Sequence, residues 1–123
     1  MQMPAIMALA AGAAQHAAAR QATTSANMVN ADTPGYRPRD LTAFDPFGGA
    51  ASARATRAGH LLGGHDRPWR EVTEAGPLDP NGNGVDMETE ILRATDAQRA
   101  HNRALTVYSS SLDILRASIG RGR

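Results

Sequence analysis

Apolar residues recur in steps of four and three along the last third of the chain. Positions 87, 91, 94, 98, 101, 105, 108, 112, 115 and 119 read Met, Ile, Ala, Gln, His, Leu, Tyr, Leu, Leu and Ile, and eight of these ten are apolar or aromatic. No Gly or Pro interrupts residues 86–119. A repeat of this kind predicts a coiled-coil helix, about 50 Å long for 34 residues at a rise of about 1.5 Å each. Asp86 suits the N-cap, Glu88 and Glu90 the positive first turn, and Gly120 the C-terminal cap. Such a helix cannot bury its seam alone.

The only partner of similar length in the chain is the opening segment. Ten of residues 1–22 are Ala, the best helix former. Met7, Ala10, Ala14, Ala17, Gln21, Thr24 and Met28 follow the same alternation of steps, so one face of this helix is small. No Arg or Lys precedes Arg20, so the stretch reads as a mature helix rather than a removed leader. It stops at Thr33-Pro34-Gly35-Tyr36, where Pro34 and Gly35 fit the central positions of a type II turn and Thr33 is forced out of the helical region. Residues 37–84 carry eight Gly and five Pro and show no sustained period. Within them, Trp69 to Thr73 is the one candidate strand. The expected architecture is all-α. Two long terminal helices pair as a coiled coil, and the irregular Gly/Pro-rich middle has room for a short β element. Residues 1–31, 32–84 and 85–123 are the three parts of one domain.

Composition sharpens this picture. Leu, Ile, Val and Phe together supply 19 of 123 residues, about 15%, whereas Ala alone supplies 24. Chains this poor in large apolar side chains bury too little surface to offset their ordering entropy. The chain is therefore expected to complete its folding against neighbours. All 13 cations are Arg, against 12 acids, for a net charge of +1. The balance does not point to nucleic acid or to a membrane surface. The absence of Lys excludes Schiff-base chemistry and a P-loop, and the absence of Cys excludes disulfides and thiol catalysis. No apolar run is long enough to span a bilayer.

Few residues suggest chemistry. Asp79, Asn81, Asn83, Gly84 and Glu90 match the calcium-loop pattern D-x-[DN]-x-[DN]-G-x5-E, with the carboxylates and amides as oxygen ligands. However, Pro77 and Pro80 leave no room for an entering helix, Asp86 replaces an apolar loop position, and no second loop exists to pair with. An Asn/Gly turn before a capped helix is the simpler reading, so no metal or cofactor is expected. His65-Asp66 forms an isolated pair, and His101 reads as a packed seam residue. Arg93, Arg99, Arg103 and Arg116 read as solvated or inter-subunit positions. Ser109-Ser110-Ser111 lacks the flanking glycines of a nucleophile elbow. No catalytic constellation emerges, and no enzyme is expected.

The stretch Asn27-Met28-Val29-Asn30-Ala31-Asp32-Thr33-Pro34-Gly35-Tyr36 resembles the N-terminal signature of flagellar rod, hook and related axial proteins. Arg37 to Asp40, Thr56 to Leu61 and Pro77 to Glu88 are similar to further elements of basal-body rod members of that family. The resemblance implies a structural subunit of the bacterial flagellar basal-body rod, with its terminal helices polymerised into a periplasmic drive shaft. It also implies export through the flagellar type III apparatus and contacts with itself, other rod subunits and the components at the rod base. On that reading the assembly residues are Met87, Ile91, Ala94, Leu105, Tyr108, Leu112, Leu115 and Ile119 on the last helix. Ile6, Ala10, Ala17 and Met28 lie on the first. Asn27, Asn30, Thr33, Pro34, Gly35 and Tyr36 hold the turn geometry.

Overall fold

The computed structural model describes residues 4–46 and 68–121. Two long helices, α1 (Ala5–Val29) and α2 (Met87–Gly120), pack against each other. Two short strands, β1 (Arg39–Leu41) and β2 (Glu71–Thr73), lie between them in sequence. The mostly helical architecture with its paired terminal helices is the one the periodicity implies. The middle contributes more than expected, because Arg39–Leu41 forms an antiparallel partner for the anticipated strand, with Asp40 opposite Val72.

The helices run antiparallel. Asn83, just before α2, bonds the carbonyl of Asn30 at the end of α1, and Gln21 donates across the seam to Gln98 at 2.6 Å. Asp86 caps α2 by accepting from the Glu88 backbone N–H at 3.1 Å, with Glu88 and Glu90 in the first turn. Gly120 is the last helical residue rather than a left-handed cap, and Arg121 follows in a right-handed conformation. Tyr36 N–H bonds the Thr33 carbonyl at 3.3 Å and Gly35 has φ 75°, as a type II turn requires.

The core is slight, as the composition demands. Its buried apolar side chains among the described residues are Met7, Ala10, Ala17, Ala97 and Ala104. The α1 face is the row of small residues read from the sequence. On α2 the buried positions are Glu90, Ala97 and Ala104, seven residues apart. Ala94, His101, Tyr108 and Leu115 are half-buried beside them, whereas Met87, Ile91, Leu105 and Ile119 are exposed. The seam that α2 presents to α1 is thus turned by part of a residue step from the one marked by its largest side chains. Alanine on both sides lets the backbones approach closely, and the bulky residues are displaced to the flank.

Candidate assembly interface

The turn at the end of α1 is held by two buried asparagines. Asn27 is 0% exposed. Its Nδ2 donates to the Arg39 carbonyl at 2.7 Å, while its Oδ1 accepts from Arg39 N–H at 3.0 Å and from the Tyr36 hydroxyl at 3.1 Å. The side chain therefore acts as a strand partner for β1 and fixes the chain leaving the turn. Asn83 is 1% exposed. Its Nδ2 donates to the carbonyls of Asn30 and Thr33 at 2.8 and 2.7 Å, and its Oδ1 accepts from Val85 N–H at 2.8 Å. Backbone bonds from Gly35 N–H to Asn81 O and from Gly84 N–H to Tyr36 O complete the latch. The Pro-Gly turn after α1 and the Asn-Gly turn before α2 thus form one unit.

Charged groups reinforce that unit. Arg20 of α1 bonds both oxygens of Asp40 on β1, at 3.1 and 3.2 Å. Arg93 of α2 reaches Asp40 at 3.6 Å, Glu90 at 3.1 Å, and Glu74 after β2. Burial pulls the Asp40 pKa upward, but the Arg20 hydrogen bonds, the Leu41 backbone N–H and the two guanidinium charges outweigh it, so Asp40 is held below the usual carboxylate range. Burial disfavours the Arg93 cation, and its carboxylate partners more than restore it. Arg93 is therefore an intramolecular clasp rather than the solvated or inter-subunit position expected from the sequence. The sequence does not signal this role, because Asp40 and Glu74 are far from Arg93 along the chain and only Glu90 is its neighbour on the helix. One turn before Arg20 on α1, His16 bonds the Thr42 carbonyl at 2.8 Å and packs among Phe44 and Trp69.

The anticipated interface residues divide between these environments. Ala10 and Ala17 are buried against α2, Met28 is half-buried, and Ile6 is exposed. Asn30 is half-buried, and its Oδ1 accepts from the Thr33 hydroxyl at 3.1 Å. Thr33, Pro34 and Gly35 are exposed at the tip of the turn, and Tyr36 is half-buried against Asn27. Leu112 is half-buried at the edge of the helix pair. The residues of the calcium pattern have other tasks. Asn83 spends its amide donors on carbonyls, and Glu90 lies beside Arg93. Among the described residues no group of three or more His, Asp or Glu is arranged so that it could hold a metal ion, and the three carboxylates around Arg93 face its guanidinium. Thr56 to Leu61, including His60, and the His65-Asp66 pair lie outside the described residues.

Residues 7–37, from the first buried turn of α1 through the Pro-Gly turn, match the family model described as flagella basal body rod protein. Over those residues the match supports the rod-protein family, whose members are structural components of the flagellar basal body. No curated protein matches the chain.

Proposed function

We propose that this chain is a structural subunit of the flagellar rod at the position of the proximal rod protein FlgB. It works mechanically, transmitting torque through helices packed between subunits. The match over residues 7–37 is the observation that carries the rod reading. The resemblance of the D-T-P-G-Y stretch and the short middle favour FlgB over its sister FlgC, which shares the overall plan. Its route is export through the flagellar type III apparatus, and its place is the periplasmic rod beside the components at the rod base. A small core suits that route, since a chain with few large buried side chains is cheap to unfold for passage.

The interface residues of α1, the turn and α2 serve this assembly in two ways. Asn27, Tyr36, Ala10 and Ala17 shape the subunit, while exposed Met87, Ile91, Leu105 and Ile119 remain available to neighbours. The test is complementation of a flagellated bacterium made non-motile by deletion of its own copy of the gene. The wild-type chain restores rods and swimming. Leu105→Asp and Leu112→Asp abolish rod assembly but still leave the cytoplasm. Normal rods with both changes would sink the assignment of α2 to assembly.

A further inference from the structure

Among the described residues, the one buried side-chain polar atom without a hydrogen-bond partner is Oε2 of Glu90. Glu90 is 1% exposed and is the largest fully buried side chain there. Its other oxygen, Oε1, accepts from Arg93 at 3.1 Å. A charged oxygen shut away from water costs more than a neutral group does, and buried polar groups in folded proteins are almost always partnered.

The charges around it do not balance. Arg20 and Arg93 bring two positive charges to this cluster, whereas Asp40, Glu74 and Glu90 bring three negative ones. Arg93 is divided among all three carboxylates and leaves Oε2 of Glu90 unserved. Glu74, Glu90 and Arg93 also line an open cleft of about 470 Å³ beside the Asn-Gly turn and the first turns of α2. Asp79 and Asp86 line it too, so the cleft holds four carboxylates and one guanidinium. Its remaining walls include the apolar side chains of Pro38, Pro77, Leu78 and Val85.

The carboxylates are not arranged to hold a metal ion. Separate acceptors between apolar walls suit a different cation, one that is planar, with weakly hydrated faces and N–H donors along its edge. We infer that this cleft takes the guanidinium of an arginine side chain presented by another polypeptide, with Oε2 of Glu90 accepting from one of its N–H groups. The guanidinium faces lie against the proline and aliphatic walls, and its charge offsets the excess carboxylate. An ammonium is compact and strongly hydrated, so it gains less from such walls. The inference needs this cleft alone and is independent of the rod reading.

Amide NMR of the isotope-labelled full chain tests it. The probe is N-acetyl-arginine amide, which carries one positive charge and no carboxylate. The signals of Asn83, Gly84, Val85 and Thr89, which line the cleft, shift saturably with the probe, and added salt weakens the binding. N-acetyl-lysine amide binds at least about threefold more weakly. Glu90→Gln keeps the shape of the side chain, removes its charge and weakens arginine binding at least about tenfold. If Glu90→Gln loses helical circular dichroism, Asp79→Asn on the exposed turn replaces it and weakens binding about threefold. A blocked Gly-Arg-Gly peptide binds at least as tightly as the single residue. Weaker binding by the peptide restricts the cleft to small molecules and overturns the polypeptide source. No saturable shift at tens of millimolar probe overturns the inference. Equal binding of lysine and arginine, or a folded Glu90→Gln chain that binds as wild type does, also overturns it. So do signals that move with calcium chloride but not with the arginine probe.

Discussion

Single residues set the geometry of the turn through hydrogen bonds that have no substitute. Replacing Asn27 with Ala strands the N–H and carbonyl of Arg39 and the Tyr36 hydroxyl, all part-buried in the latch. Buried groups left without partners cost about 1–3 kcal/mol each, so urea denaturation of Asn27→Ala is expected to show a loss of about 2–4 kcal/mol after partial access of water. Gly82 has φ 82°, and a Cβ there would lie 3.3 Å from the Gly35 Cα. Gly82→Ala combines left-handed strain with crowding and is expected to cost about 1–3 kcal/mol by the same measurement. Asp40 gives the acid response. Its folded pKa is depressed, so its contribution is present above the ordinary carboxylate pKa and is lost as pH falls through the lower folded value. Asp40→Asn should flatten that limb of a stability profile, measured by thermal melts between neutral and strongly acidic pH. Much at this scale was legible. The Asp86 cap and the Thr33–Tyr36 turn follow from local chemistry. The clasp of Arg93 was not, because beyond its helical neighbour Glu90 its partners Asp40 and Glu74 come from two distant segments, and an arginine on a helix carries no mark of where they will be.

Elements are joined where side chains are small enough to permit it. The ribbon reaches α1 through Gly12, where a Cβ would come within 2.9 Å of the Phe44 ring. In a helix, Ala is favoured over Gly by about 1 kcal/mol, so Gly12→Ala is expected to be near neutral, helix gain offsetting the displaced ring. Gly12→Leu has no such escape and should push Phe44 away from His16 and Trp69. Trp69 is the only tryptophan, so a red shift of its fluorescence with little change in helical dichroism reads that detachment directly. A Trp69 spectrum unchanged in Gly12→Leu would show that the aromatic cluster does not depend on this approach. The strand at Glu71–Thr73 was expected from its composition, but β1 was not. Arg39–Leu41 has no strand-like pattern of its own, and its extended form is imposed by the Asn27 amide and by pairing with β2.

For the molecule as a whole, the helix pair is a thin structure. A core made of one methionine and four alanines buries little area, and methyl-sized side chains contribute only about 0.8 kcal/mol per buried carbon. The isolated chain is therefore expected to unfold at low urea, with a stability at or below about 5 kcal/mol, and to gain stability with concentration as neighbours cover the exposed Met87, Ile91, Leu105 and Ile119. Denaturation midpoints measured across a concentration series check this, and a midpoint independent of concentration would contradict it. The sequence by itself determined the two helices, the cap that opens α2, the turn between α1 and the middle, the scarcity of core and the resemblance of the first segment to rod proteins. Each of these follows from neighbours along the chain or from composition. Only the tertiary structure decided the rotation of α2, the partners of Asn27, Asn83 and Arg93, and which apolar residues stayed exposed. A four-three repeat marks an apolar stripe but leaves open which edge of it meets the partner. That choice fell to the alanines, which allow two backbones to close together where Ile91 and Leu105 would hold them apart.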